Sequence, residues 1–549
     1  MICFKDYVFL KSLRNDIKVA QEKVLLKILK NNQETFYGQK YRFNQIHDIG
    51  DFRNRAPITN YDDYEPYITK IQKGHLNILT KDPVLLLEPS SGSTSPSKYI
   101  PYTKSLQKEF LRGIRPWIFD LFNKRKKLLL GSAYWSISPK KEVVMNDGVV
   151  PIGFNSDSEY FGLIERRILK RLMVTPPEVS EIQDIEAFRY VTLLFLLKNK
   201  FLSFISVWNP TFLTLILEKL IPLSNSLIDD IRYGRISTKL DIESSIREKI
   251  SKKLTKDERR ASEIDCIIKN SKDEDKLIYQ DIWPNLRLIS CWADGPAEIL
   301  IKEIRKYFLD VEIQPKGLLA TEGVISLPLA GEGGCAIAVN SHFFEFIEQD
   351  LDSESSENTK LLYEIEMGKR YSVLITTGGG LYRYRLHDII EVVGFKGQCP
   401  LIKFVGKEDK VVDLYGEKLN EYHVKSVLRE VFLKNSLDPE FVLIAPEQID
   451  KNGRGYYTLF LKIKNCSQQL KEIEREIDEL FQENYHYKYC RKLGQLLPLR
   501  IFLIDTVNNA KETYMKICNK RGQRLGDIKP SVLVSYKGLT EEFTGSFLS

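Results

Sequence analysis

The stretch Pro89-Ser90-Ser91-Gly92-Ser93-Thr94-Ser95-Pro96-Ser97-Lys98 sets hydroxyl side chains around one glycine, directly after the apolar run Asp82–Pro89. Such a stretch can hold phosphate. Glycine lets the backbone approach an anion, hydroxyls donate to its oxygens, and a lysine adds charge. The G-x-x-x-x-G-K-[ST] spacing of a Walker loop is missing, and no G-x-G-x-x-G opens a βαβ unit. By itself such a stretch is usually only a serine- and glycine-rich turn. A second chemistry-bearing run is Tyr382-Arg383-Tyr384-Arg385-Leu386-His387-Asp388. Its first four residues alternate as in a strand with two faces. Adjacent strand residues point apart, so His387 and Asp388 do not read as a dyad.

These residues need elements to position them. Gln21–Asn31 has apolar residues at helical spacing. Asp82–Pro89 reads as a strand entering the loop, and Lys104–Phe122 as a helix with a possible kink at Pro116. Ile185–Lys198 and Asn209–Leu220 read as buried helices. After Trp283 the texture changes. Short β-rich runs at Leu286–Trp292, Gly317–Thr321, Cys335–Val339 and Ser372–Thr377 surround one helix, Pro296–Phe308. Asp350–Lys360 is acidic and serine-rich and reads as a surface loop. Beyond Gly406-Lys407-Glu408-Asp409, helices at Asn420–Leu433 and Gln468–Asn484 alternate with strands at Phe441–Ile444, Tyr456–Lys464 and Leu499–Ile504. The expected architecture is α/β: a large mixed N-terminal domain over 1–405 and a small α+β domain over 406–549.

Composition narrows the function. The 549 residues are 43% hydrophobic and 28% charged, which excludes a disordered, collagen-like or disulfide-scaffold chain. Net charge is 81 − 74 = +7, compatible with an anionic small ligand and no argument for nucleic acid. The basic run Lys124–Lys127 has no interleaved aromatics and reads as a solvated helix end before a buried strand. Eight cysteines are scattered without a C-x-x-C pair, which speaks against zinc and suits a reducing compartment. The first residues lack a secretory pattern, and Tyr190–Trp208 is broken by Lys198-Asn199-Lys200 and too interrupted to span a bilayer. A cytoplasmic protein without a membrane partner is expected.

Five stretches in order carry a resemblance. They are Ser90–Thr94 with Lys98, Ala320-Thr321-Glu322, Tyr382–Asp388, Phe404-Val405-Gly406 with Glu417-Lys418, and Lys529-Pro530. The series resembles that of adenylate-forming enzymes, and within them the auxin-responsive acyl-acid amido synthetases (the Gretchen Hagen family). The likeness begins at Asn31–Thr35 with Tyr37-Gly38 and runs through Asp51-Phe52-Arg53, Pro57-Ile58-Thr59, Tyr61 and Gly74, so it covers nearly the whole chain. It implies a fold of the acyl-CoA synthetase/luciferase-like type with a mobile small domain. It implies two half-reactions: a carboxylate attacks ATP to give an acyl-adenylate and pyrophosphate, then an amine, usually of an amino acid, takes the acyl group and releases AMP.

The resemblance also implies roles. Ser90, Ser91, Gly92, Ser93 and Thr94 would cradle the β- and γ-phosphates, and Thr321 would donate to the α-phosphate. Glu322 would hold Mg²⁺, a hard cation that needs a hard anionic ligand; otherwise it caps a turn. Asp388 would accept both ribose hydroxyls with its two oxygens. Lys418 would lie near the nucleotide phosphate; otherwise it is an exposed lysine at a helix start. Lys529 would swing in to meet the attacking carboxylate and the α-phosphate, then leave. The acid pocket would lie between the helix after the phosphate loop, with Arg112 and Arg115, and the turn at Trp292; Trp117 and Trp292 serve as its wall or as core. Two departures stand out. Leu318-Leu319-Ala320 replaces the aromatic that stacks on adenine in many relatives, and Lys407 replaces an arginine, losing its planar fork. The expected partners are a small carboxylic acid and an amino acid, acted on by a monomer. Acyl-CoA formation and a silent nucleotide- or acid-binding protein are the alternatives.

Overall fold

The computed structural model describes residues 7–8, 16–90, 98–136, 149–153, 172–270, 279–349, 359–408, 410–448, 454–463, 470–507, 509–521, 523 and 528–548. The chain forms two compact units. The first is Met1–Asp294 with Glu298–Phe404; the second is Gly295–Ala297 with Val405–Ser549.

In the first unit, strands β1 (Leu86–Ser90) and β2 (Lys98–Tyr102) form an antiparallel hairpin in which Ser90 faces Lys98. A four-stranded parallel sheet follows in chain order: β3 (Ser132–Trp135), β4 (Leu202–Ser206), β5 (Leu288–Cys291) and β6 (Glu312–Pro315). Parallel neighbours require crossovers, and helices supply them. Ile185–Lys198 is buried from Ala187 to Leu197, as its unbroken apolar run demands, and Asp184 caps it by accepting from the Ala187 N–H at 2.7 Å. Asn209–Leu220 is not one helix. Pro210–Leu217 and Leu220–Tyr233 meet at 66°, and most of their apolar side chains sit in the core behind the parallel sheet. Among the described residues no single helix is long and apolar enough to cross a membrane.

Strands β7 (Leu319–Ala320) and β8 (Gly323–Val324) make a short hairpin whose two-residue turn is Thr321-Glu322. A seven-stranded sheet then contains β9 (Ser326–Pro328), β10 (Cys335–Ile337), β11 (Phe343–Glu348), β12 (Thr359–Leu361), β13 (Arg370–Thr376), β14 (Tyr384–Lys396) and β15 (Cys399–Lys407), in the order β12-β11-β13-β14-β15-β10-β9. Thr359 and Lys360 are edge-strand residues, not loop; the rest of the predicted acidic loop, 350–358, lies outside the described residues. The Tyr382–Asp388 run is not a plain two-faced strand either. The strand starts at Tyr384, Arg383 and His387 both have positive φ (47° and 59°), and the register to β13 shifts between Ser372 and Leu374. Arg383 turns inward and donates twice to Glu345 at 3.0 Å, an ion pair the alternation hides.

Helix Lys104–Lys124 crosses this unit unbroken through Pro116, with Thr103 capping it at the Leu106 N–H, 3.2 Å. Arg125, in the basic run, pairs with Glu312. The three leucines that follow lie in a 3₁₀ turn rather than a strand, with Leu129 and Leu130 exposed.

The second unit holds two β-ribbon strands, β16 (Val411–Val412) and β17 (Leu419–Asn420), and a sheet ordered β18 (Phe441–Gln448), β19 (Gly455–Lys462), β20 (Arg500–Ile504), β21 (Gly545–Phe547). Helices Glu421–Lys434, Leu470–Phe481, Tyr485–Lys492 and Ala510–Lys520 accompany them. Leu443, Phe460, Phe502 and Ile517 build part of the core.

Candidate active site

Glu322 sits in the tight β7–β8 turn and is 7% exposed. Two elements fix that hairpin. Helix Lys104–Lys124 comes so close that a Cβ on Gly113 would lie 2.7 Å from Val324 Cγ1, so only glycine fits. On the other side, His342 accepts the Val324 N–H through Nε2 at 3.2 Å. That bond leaves Nδ1 as the protonated nitrogen, and it donates to Glu109 Oε2 at 3.1 Å. The same Glu109 oxygen accepts the Gly378 N–H at 2.9 Å, and Arg112 Nη2 lies 3.7 Å from Oε1. His342 is fully buried and Glu109 nearly so. A carboxylate on one helix thus orients an imidazole that holds the backbone beside Glu322.

Asp388 is buried on β14, with His387 half-buried beside it and hydrogen-bonded to Asn60 at 3.1 Å. Ser90 ends β1; Ser91, Gly92, Ser93 and Thr94 lie outside the described residues. Lys98 opens β2 with its ammonium 5.8 Å from the Tyr61 ring centre. Thr321 is half-buried in the turn with Glu322, and Arg115 half-buried on the helix that carries Glu109. Trp292 is half-buried at the end of β5, its ring 6.0 Å from that of Trp208.

In the second unit Lys418 is exposed, with φ of 46°, in the turn before β17. It precedes the helix that Asn420 caps and is not part of it. Its neighbour Glu417 is fully buried, accepting the Leu414 and Tyr415 N–H groups at 2.8 Å. Lys529 is exposed, two residues before Ser531. Glu421 ties these segments together: it accepts Lys410 Nζ at 2.8 Å, the Ser531 hydroxyl at 2.6 Å and the Val532 N–H at 2.9 Å.

Residues 7–313 match the GH3 family N-terminal domain, 335–407 its central domain and 423–537 its C-terminal domain. The chain belongs to the GH3 family. The jasmonoyl–L-amino acid synthetase JAR4 of Nicotiana attenuata is 28% identical, over 74% of this chain and 72% of its own. The indole-3-acetic acid-amido synthetase GH3.17 of Arabidopsis thaliana is 23% identical, over 97% and 93%. Among solved structures, the AtGH3.15 acyl acid amido synthetase in complex with 2,4-DB superposes with a TM-score of 0.83 at 20% identity, over 98% of this chain and 94% of that one. The GH3 fold therefore spans the chain.

Three residues of the GH3 chain escaped sequence reasoning: Glu109, His342 and Lys316. The first two are 233 residues apart and meet only in the fold. Lys316 likewise meets its neighbours only in the fold: Trp135, Trp208 and Trp292 each lie at, or within two residues of, the end of a parallel strand, and Lys316 directly follows the fourth.

Proposed function

We propose that this chain is an ATP-dependent acyl-acid amido synthetase. It activates a carboxylic acid as an acyl-adenylate, releasing pyrophosphate, and transfers the acyl group to an amino acid, releasing AMP. The observation that carries this reading is the ordered match of all three GH3 domains along the chain, with the Ser90–Thr94 loop, Asp388 and Lys529 inside them and Thr321-Glu322 and Lys418 in the short segments between them.

A carboxylate and a triphosphate repel, so the site must offer fixed donors and charge where negative charge gathers. The Ser90–Thr94 loop and Thr321 donate to phosphate oxygens, and Asp388 accepts from the ribose. Glu322 would hold Mg²⁺. Among the described residues no group of three or more His, Cys, Asp or Glu could hold a metal. One hard carboxylate suits Mg²⁺, and the ion would supply charge neutralisation at the phosphates. Lys529 supplies a cation to the first half-reaction from an exposed loop, anchored just beyond it through Ser531 and Glu421. We take the protein to act as a monomer in the cytoplasm, on small molecules rather than nucleic acid or membrane.

The test is acid-dependent pyrophosphate release with ATP and Mg²⁺ over a panel of carboxylic acids. Release that requires an acid supports the reading. A folded protein that releases none with any acid is a binding protein instead.

A further inference from the structure

The carboxyl-terminal edge of the parallel sheet carries a polar row on one face. In register, Trp135 on β3 lies beside Ser206 on β4, Ser206 beside Ser290 on β5, and Ser290 beside Gln314 on β6. Partners in a parallel ladder share a face. Lys316, two residues past Gln314, completes the row, and its ammonium bonds the Ser206 hydroxyl. Helix Lys104–Lys124 covers this face: Trp117 donates its indole N–H to Gln314 Oε1 at 2.9 Å.

Lys316 is 4% exposed, yet among the described residues no carboxylate forms an ion pair with it. Its ammonium instead lies 5.0 Å from the ring centres of Trp135 and Trp208 and 5.7 Å from that of Trp117. Aromatic faces attract a cation but do not accept its remaining hydrogen bonds. Burial pushes this ammonium down from 10.5 to about 7. Two neighbours on the row are equally unusual. The Ser290 hydroxyl and the Gln314 amide nitrogen are buried without a hydrogen-bond partner among the described residues. Buried polar groups are normally paired, and each unpaired one needs a reason. Trp135, Trp208 and Trp292 are only half-buried, so this edge is roofed by side chains that reach solvent. Ligands of open α/β sheets bind at the carboxyl ends of the strands.

We propose that Lys316, with Ser290 and Gln314, selects the acid substrate by binding an acceptor oxygen remote from the carboxylate that is activated, so that the favoured acid carries a second carboxylate or a hydroxyl. This rests on the ligase reading above. The reacting carboxylate is a poor partner for Lys316. It loses its charge on becoming a mixed anhydride and would strand a cation in an apolar cage. A second acidic group keeps its charge through both half-reactions. A buried donor left unpaired by a substrate lacking the acceptor discriminates strongly, which makes this row a specificity device.

The experiment compares acids that differ only in the second group: benzoate against 3- and 4-carboxybenzoate and 3- and 4-hydroxybenzoate, and hexanoate against adipate. Pyrophosphate release gives kcat/KM, and tryptophan fluorescence reports binding without turnover, because four of the five tryptophans (Trp117, Trp135, Trp208 and Trp292) line or adjoin the site. In the parent at least one acceptor-bearing acid should exceed its plain counterpart tenfold or more. In Lys316→Met that preference should fall to within threefold, with plain acids and the KM for ATP little changed. Ser290→Ala should weaken the preference severalfold while leaving Lys316 in place, and it covers the case in which Lys316→Met does not fold. An unchanged acid ranking in both variants, a parent that prefers plain acids, or an equal loss for every acid in folded Lys316→Met would overturn the proposal. If no acid supports turnover, the ligase reading falls. Fluorescence then decides the site on its own: it stands if an acceptor-bearing acid binds the parent and not Lys316→Met, and falls otherwise.

Discussion

His342 donates through Nδ1 to Glu109, 233 residues earlier in the chain, and accepts through Nε2 from the backbone two residues past Glu322. A buried carboxylate, an imidazole and a backbone amide thus form one chain of bonds that ends at the hairpin carrying the candidate metal ligand. Such chains fix a tautomer and a geometry without touching substrate.

His342→Ala should lose both bonds and leave the Glu109 carboxylate and the Val324 N–H partly unpaired, at about 1–3 kcal/mol each. We expect a lower melting temperature and a pyrophosphate-release kcat reduced about tenfold, with the acid KM changed less. His342→Gln, whose side-chain oxygen can still accept the Val324 N–H, should recover part of kcat. Equal kcat in Ala and Gln variants would show that the bond to the hairpin does not matter.

Glu322→Ala would remove the proposed hard oxygen ligand but not the turn. Folding should be preserved. Acyl-adenylate formation should drop roughly tenfold or more, and the Mg²⁺ concentration needed for half activity should rise. Parental activity at saturating Mg²⁺ would remove Glu322 from the site.

Much of this was legible in the sequence, for physical reasons. Ile185–Lys198 is apolar enough to be buried all round, so length and composition alone define it. A turn at Thr321-Glu322 after a short β run was readable too; that the strand ends at Ala320 and pairs with Gly323–Val324 was not. What was not legible depends on contacts far apart in the chain. Arg383 reads as half of an alternating strand, but Glu345 draws it into a left-handed conformation beside a bulge. Glu109 looks like one more charge on a helix until His342 arrives from the bend before β11. Lys316 looks like a surface lysine before a glycine, because a single sequence does not reveal that three tryptophans converge on it.

Lys316 also carries a pH signature. Its folded pKa, about 7, lies below the 10.5 of an unburied lysine. Below pH 7 both folded and unfolded chains hold the proton, and the full cost of burying the cation is present. Between pH 7 and 10.5 the unfolded chain holds more protons, so this residue's contribution to stability rises with pH by up to about 1.4 kcal/mol per unit. The neighbouring Cys291 thiol, pushed up to about 12 by burial, stays neutral throughout. Lys316→Met should therefore melt above the parent at pH 6.5, and the gap should shrink by pH 9.5. A gap independent of pH would mean that Lys316 is charged, and paired, across the range.

Lys529, in the role proposed for it, distinguishes the two half-reactions. If it meets the developing charge of the first and withdraws for the second, Lys529→Ala should depress acid-dependent pyrophosphate release strongly. Chemically supplied acyl-adenylate should still become amide at near-parental rate. Loss of both steps, or of neither beyond about twofold, would reject that role.

The most direct measurement of the central claim is the mass of the product. The protein is incubated with ATP, Mg²⁺, a mixture of carboxylic acids and the common amino acids, with and without coenzyme A, and the products are analysed by mass spectrometry alongside AMP. We predict a species whose mass is that of one acid plus one amino acid less water, formed with stoichiometric AMP and without need of coenzyme A. A thioester formed only when coenzyme A is present, or no conjugate from folded protein, would contradict the account.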